Sequence, residues 1–333
     1  GAGAGLLAAA ALAALAAWAL APYRHRPMLG EPPAFVLCET DWGKPCQRWL
    51  PTRWLSDFYE ALSLRARDIF QSGRRPVVLH VGAHNFRDDV IEYQPLLAAL
   101  FRQTAAPRLV LVEPDQEMRE ILQKAHPKLG LKAEDVTVLS VAMKKECDGD
   151  DIQYVFGDRL FADFAPNEGT RIALRSSMRS WRTYHKERLG KIVTILATEK
   201  QLSTGEGSSR AFDHFHSVIV PLVKKIYAAG NWTQYIEEER VPCMSAADLV
   251  KELDILPEDI LMLTVDVEGL EIPIMESFTE IRAFRPSLVR WEGSLADARA
   301  ERLVGFFRDG GYLLGRTGQS HSQDVVGYLG PAV

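Results

Sequence analysis

Short apolar runs, many of them β-branched, alternate along this chain with segments whose apolar positions recur every three or four residues. Thr52 to Gln71 places Leu55, Phe58, Tyr59, Leu62, Ile69 and Phe70 at helical spacing, and Gly73 closes the segment as a C-cap would. Val77-Val78-Leu79-His80-Val81 reads as a strand buried on both faces, bounded by Gly73 to Pro76 before it and Gly82-Ala83 after it. The pattern then predicts a helix from Val90 to Arg102 capped by Asp88-Asp89, a second strand from Arg108 to Val112, and a helix over Pro114 to Ala125 with proline in its first turn. Asp135 to Ala142 predicts a third strand and Ile152 to Phe156 an edge strand. Between about residues 157 and 240 the pattern is least regular; Ile192 to Ala197 reads as a strand and Phe212 to Ala229 as an amphipathic helix. A helix ending at Leu249 to Leu253, strands at Ile260 to Val265 and Ser287 to Trp291, a helix from Ala296 to Phe307, and strands at Leu313-Leu314 and Val325 to Leu329 complete the series.

Alternating βα units of this kind fold as an α/β domain with a mostly parallel sheet and helices on both faces, and ligands sit at the carboxyl ends of the strands. The expected organisation is a hydrophobic segment over 1–23, a lead-in and packing helix over 24–75, and the α/β domain over 76–333 with an insertion over the site at about 157–240. Two strand ends carry the first candidate chemistry. The chain leaves the first strand at Gly82, where the lack of a side chain lets backbone approach a ligand. The second strand stops on Glu113, where a nucleotide-binding sheet places an acid for the ribose hydroxyls.

Composition changes this picture little: 47% hydrophobic and 25% charged residues are ordinary for a globular chain of 333 residues. A net charge of −5 with interspersed signs argues against a sequence-independent hold on nucleic acid, although Arg171 to Arg188 form a local basic run. Residues 1–23 are uncharged and mainly Ala, Leu and Gly, with Trp18 and Tyr23 near their end and Arg24, His25 and Arg26 following. That approaches the roughly 20 apolar residues of a spanning helix, so the leading reading is a membrane anchor with the domain in the secretory lumen. A cleaved signal peptide, giving a secreted protein, and an organelle-targeting segment are the competing readings. Of four cysteines, Cys38 and Cys46 could close a small loop in a lumen, with four unpaired thiols as the alternative; Cys147 and Cys243 complete the set, and no C-x-x-C spacing suggests zinc. Asn231-Trp232-Thr233 is a glycosylation sequon, which has meaning only in the secretory pathway.

Asp266-Val267-Glu268-Gly269-Leu270-Glu271 directly follows the strand at 260–265, so two carboxylates leave the sheet on the ligand side and Gly269 allows the turn into a helix. The plainer reading is that Asp266 or Glu268 caps that helix. At these residues the chain resembles the FkbM family of S-adenosylmethionine-dependent methyltransferases. The matching pieces are Val78 to Ala83, Leu111-Val112-Glu113-Pro114-Asp115, Val138 to Ala142, Val241-Pro242-Cys243 with Ala247-Asp248-Leu249, Val265 to Glu271, Arg285-Pro286 with Trp291-Glu292, and Gly311-Tyr312. The resemblance implies a Rossmann-like class I methyltransferase sheet and S-adenosyl-L-methionine as methyl donor. Under it His80, Gly82, Ala83 and Asn85 would line the donor loop, Glu113 and Pro114 the ribose, and Asp115 with Ser140 to Ala142 the adenine. Asp266, Glu268 and Glu292 would face the transferable methyl, Asp266 touching the donor as well, and His84 is a further candidate base. The chain departs from the family pattern at His80, where Asp is usual, at Phe86, where a loop glycine is usual, and at Thr264, where Lys is usual.

Phe161, Phe164, Trp181, Tyr184, Phe212, Phe215, Tyr227 and Trp232 in the insertion are expected either to shape a pocket for a glycan or other small-molecule hydroxyl or to form a small core of their own. Two further functions remain open on sequence. One is a membrane-anchored lumenal glycosyltransferase using Asp148 and Asp150 around a metal. The other is a catalytically inactive descendant of the fold that binds a partner. A dinucleotide-dependent oxidoreductase is disfavoured, because G-x-G-x-x-G is absent.

Overall fold

The computed structural model describes residues 52–84, 97, 106–124, 126–179, 181–198, 219–267, 269–293, 298–319 and 322–329. The hydrophobic segment 1–23, Cys38 and Cys46, and all but one residue of the helix expected at 90–102 lie outside the described residues. Among the described residues no helix is long and apolar enough to cross a membrane.

The chain runs α1 (Thr52–Gln71), β1 (Val77–Val81), β2 (Arg108–Val112), α2 (Gln116–Gln123), β3 (Val136–Leu139), β4 (Ala142–Met143) and β5 (Asp150–Phe156). It continues through α3 (Asp158–Phe164), α4 (Glu168–Arg179), α5 (Lys186–Thr198), α6 (Val220–Ala228), β6 (Ile236–Met244), α7 (Ala246–Glu252) and β7 (Ile260–Val265). It ends with α8 (Glu271–Thr279), β8 (Leu288–Glu292), α9 (Glu301–Asp309), β9 (Tyr312–Gln319) and β10 (Ser322–Leu329). Seven described strands form one sheet in the order β3-β2-β1-β7-β8-β10-β9. Its pairs are parallel from β3 to β8, and β10 alone runs the other way between β8 and β9.

The alternation of side chains along each strand divides the core in two. Val77, Leu79, Val81, Val110, Val112, Leu263, Val265, Val289 and Trp291 face α7, α8 and α9, where Leu249, Ile274, Phe278, Leu303 and Phe307 pack against them. Val78, Leu109, Leu111, Met262 and Leu288 belong to the opposite face, covered by Leu62 and Ala66 of α1 and Met118 and Leu122 of α2. The register fixes both faces at once, because sliding a strand by one residue would exchange them.

The insertion is a lobe with its own core. Phe156, Leu160, Phe161, Leu174, Met178, Leu189, Val193, Leu222, Val223 and Ile226 are buried together, with Phe164, Trp181 and Trp232 packed against them. Several of the aromatics expected to shape a pocket therefore fill this core, while Tyr227 is 39% exposed and Phe212 and Phe215 lie outside the described residues. Ile192 to Ala197, read as a strand, is helical within α5. Its β-branched residues suggest a strand, but Leu189 and Val193 stand one helical turn apart, both fully buried, while Ile195 is half exposed.

The expected third strand also divides. β3 ends at Leu139, and after Ser140-Val141 the chain joins a second sheet of order β4-β6-β5. The predicted edge strand is the edge of that smaller sheet. β6 pairs antiparallel with β5 over seven residues and parallel with β4; its run Glu237-Glu238-Glu239-Arg240 hid it from a hydrophobicity pattern. Cys147 and Cys243 form a disulfide with Cα atoms 5.8 Å apart, which corrects the reading of four unpaired thiols. It ties the turn between β4 and β5 to β6. The bond closes a separation of 96 residues, so replacing both cysteines with serine is expected to lower stability by about 2–5 kcal/mol. Denaturant unfolding with and without reductant checks this, since reductant should destabilise only the wild-type chain.

Candidate active site

Val81, Val112 and Val265 are partners in register, so the carboxyl ends of β1, β2 and β7 meet on one edge of the sheet. Backbone bonds lace these ends together. Gly82 and Ala83 both donate to the Val112 carbonyl, at 2.8 and 3.1 Å, and Asp266 donates to that of Val81 at 2.9 Å. Gly82 sits at φ +80°, and a Cβ there would stand 1.6 Å from the carbonyl oxygen of Asp266. Residue 82 must therefore be glycine on two counts, conformation and space.

The Glu113 carboxylate is held from both sides by main chain. One oxygen accepts from the His84 amide at 2.8 Å and the other from the Asp115 amide at 2.9 Å. Burial pushes its carboxyl up to about 7, against the pull of these amides and of the Arg182 charge. Asp115 is committed in both directions. One oxygen caps α2 by accepting from the Glu117 amide at 2.9 Å, and the other pairs with Arg179 at 3.1 Å and Arg182 at 3.3 Å. Burial opposes ionisation of Asp115, but the two guanidinium groups outweigh it and hold its carboxyl below the ordinary range. Both arginines also bind Glu239 of β6, at 2.8 and 2.7 Å. The insertion thus reaches the turn after β2 through a largely buried quartet of charges.

At the end of β7 the acids are close together. Asp266, Glu271 and Glu292 each have an oxygen within 4.8 Å of the others. Glu271 accepts from the Gly269 amide at 2.8 Å and the Val267 amide at 3.3 Å, holding the loop from the first turn of α8. The expected cap by Asp266 is not formed: the residue before the helix is Leu270, which makes no side-chain cap. Glu292 lies 3.4 Å from Arg188 of α5, whose guanidinium also lies over Gly269. Asp266 is the exposed member. Oxygen donors at this spacing suit a hard divalent cation. Glu271 is however occupied by loop amides and Glu292 has a cation beside it already, so the set carries no metal assignment.

The other expected residues divide by position. His80 is 1% exposed inside β1, flanked by β2 and β7. His84 is half-buried in the turn after Gly82, itself at φ 42°. Pro114 is half-buried beside Glu113. Ser140 follows β3 with its hydroxyl buried and without a described hydrogen-bond partner, whereas Ala142 belongs to β4 and pairs with Cys243 in the smaller sheet. Asn85 and Glu268 lie outside the described residues. Glu271, Arg188, Arg179, Arg182 and Glu239 were not anticipated. Spacing offered one signal: Arg175, Arg179 and Arg182 recur at helical intervals in the basic run, which is how a face committed to acidic partners reads.

Residues 80–314 match the family model described as Methyltransferase FkbM domain. The chain belongs to the FkbM methyltransferase family. It is a methyltransferase, and the strand ends built around Gly82, Glu113 and Asp266 fall within the matched span. No curated protein matches the chain significantly. Among solved structures, precorrin-6y C5,15-methyltransferase from Geobacter metallireducens GS-15 is similar at 10% identity, over 86% of this chain and 93% of that one, with a TM-score of 0.29. A likeness at that score carries no argument about the fold or the chemistry. Membership of the FkbM family sets aside the glycosyltransferase reading, and Asp148, in the turn between β4 and β5, and Asp150, the first residue of β5, are both exposed.

Two outcomes test this geometry. Gly82→Ala meets both a left-handed backbone and the Asp266 carbonyl, so a loss of at least about 3 kcal/mol is expected in thermal or denaturant unfolding. Glu113 keeps its proton in the folded chain up to about pH 7 and releases it near 4.5 when unfolded. Its stabilising contribution is therefore complete below that lower value and is lost as pH rises through the upper one, a change of about 3 kcal/mol. Unfolding at about pH 5 and about pH 8 should show a stability difference smaller by about that amount in Glu113→Gln than in wild type.

Proposed function

We propose that this FkbM methyltransferase takes its methyl group from S-adenosyl-L-methionine and places it on a hydroxyl oxygen of a carbohydrate or other small-molecule acceptor. The observation that carries the donor assignment is Glu113. A carboxylate at the end of the second strand is fixed by two backbone amides, with free acceptor capacity left on each oxygen, beside the turn at Gly82. That arrangement fits a ribose diol. The buried Ser140 hydroxyl after β3 is a group that an adenine edge would satisfy.

When bound, the donor supplies an electrophilic methyl carbon, and the chain supplies position and a place for one proton. Asp266 is exposed at the end of β7 and accepts the acceptor hydroxyl proton, directly or through water. Glu292, restrained by Arg188, orients the acceptor, and Glu271 holds the loop in shape. Alignment of the acceptor oxygen with the methyl carbon supplies much of the acceleration. His84, whose amide holds Glu113, is assigned to the donor side rather than to the proton.

The domain acts in the lumen of the secretory pathway, with residues 1–23 as its membrane anchor. The Cys147–Cys243 disulfide supports this compartment, because such bonds persist where the milieu is oxidising.

Asp266→Asn should lower turnover by about a hundredfold or more while calorimetric affinity for S-adenosyl-L-methionine stays within a few-fold; unchanged turnover would remove Asp266 from the mechanism. A neutral Glu113 cannot accept from both ribose hydroxyls. Donor affinity should therefore fall as pH drops through about 7, and Glu113→Gln should abolish that dependence.

A further inference from the structure

We infer that Asn231 is a site of N-linked glycosylation, an inference that rests on the lumenal reading above. The chain contains three asparagines, Asn85, Asn167 and Asn231, and only the last begins an Asn-x-Thr sequence. The structure places that sequence where the modification needs it. Asn231 and Thr233 are both exposed, in a surface turn between α6 and β6 that follows Gly230 at φ +76°. Asn231 opens a short 3-10 turn but makes no side-chain cap there, so its amide is not engaged in holding the turn. The residue between them is the anchored one: the Trp232 ring meets Phe156 edge-on at 6.5 Å, against the lobe core. A glycan on Asn231 would thus stand in solvent and displace no core contact.

The Cys147–Cys243 disulfide is an independent sign of the same compartment. Both the bond and the sequon are functional only in an oxidising lumen, and nothing in the fold requires them to occur together. The donor class is a lipid pyrophosphate-linked oligosaccharide. A bond forms between the Asn231 amide nitrogen and the anomeric carbon of the first sugar, and the bond from that carbon to the pyrophosphate oxygen breaks. The lipid pyrophosphate leaves with the electron pair and the amide nitrogen loses one proton.

The test is expression of the full chain in a eukaryotic cell, followed by gel mobility and intact mass before and after an amidase that removes N-linked glycans. A shift reversed by the amidase, and missing from both Asn231→Gln and Thr233→Ala, is the expected result. Labelling of free thiols in the same sample separates two ways of failing. An unshifted chain with Cys147 and Cys243 oxidised overturns the modification alone. An unshifted chain with both thiols free overturns the modification together with the compartment reading. Neither variant touches the strand ends of the active site, so methyl transfer by the purified variants should match that of wild type.

Discussion

The carbonyl oxygen of Asp266 occupies the space that a β-carbon on residue 82 would need, and the active-site edge depends on this one close approach. It requires a glycine after β1, and that glycine takes a left-handed turn which brings its amide and the next onto Val112. The turn carries the His84 amide to Glu113, and the amide of Asp266 returns to Val81. Three strand ends become one rigid piece with few side chains involved. Such a site is pre-organised by backbone, so the chemistry-bearing carboxylates are free to vary in their partners without loss of the frame.

The insertion is coupled to this frame by charge rather than by continuous core. Asp115, Arg179, Arg182 and Glu239 link the turn after β2, the end of α4, the segment after it and β6. Two acids and two arginines balance, which is the condition for burying charges without a large penalty. Arg188 repeats the device at Glu292, over Gly269. The lobe holds its own shape through its aromatic core and the disulfide at its base. Its arginines then fix where that lobe stands relative to the strand ends, which is the requirement for a wall of an acceptor pocket.

Much of the frame was readable from pattern alone, because buried parallel strands are continuous apolar runs and β1, β2, β7 and β8 are of that kind. What escaped had physical reasons. β6 carries three consecutive glutamates, one of which is the buried network's own acid, so its function erased its strand signal. α5 contains β-branched residues whose spacing, not their propensity, decides the helix. The pairing of Cys147 with Cys243 depends on two strands meeting from distant parts of the chain, which no local spacing reports. In the site, Gly82, Glu113 and Asp266 were legible as strand-end residues. Glu271 and the arginines were not, since their roles are contacts across the fold. Two of the departures from the family pattern, His80 and Thr264, prove to be partners in register on adjacent strands.

Asp266 is proposed as the proton acceptor because of what the other acids already do. Glu113 is buried, shares its oxygens with two amides, and is protonated over much of the range below pH 7. Glu271 is buried and spent on the loop amides. Glu292 stands 3.4 Å from the Arg188 guanidinium, which restrains its carboxylate. Asp266 is exposed, at the end of the strand next to Gly82, and shares its neighbourhood with two other carboxylates. Of the three carboxylates at the end of β7, Asp266 is the exposed one, and that position is the ground on which it is proposed to take the proton.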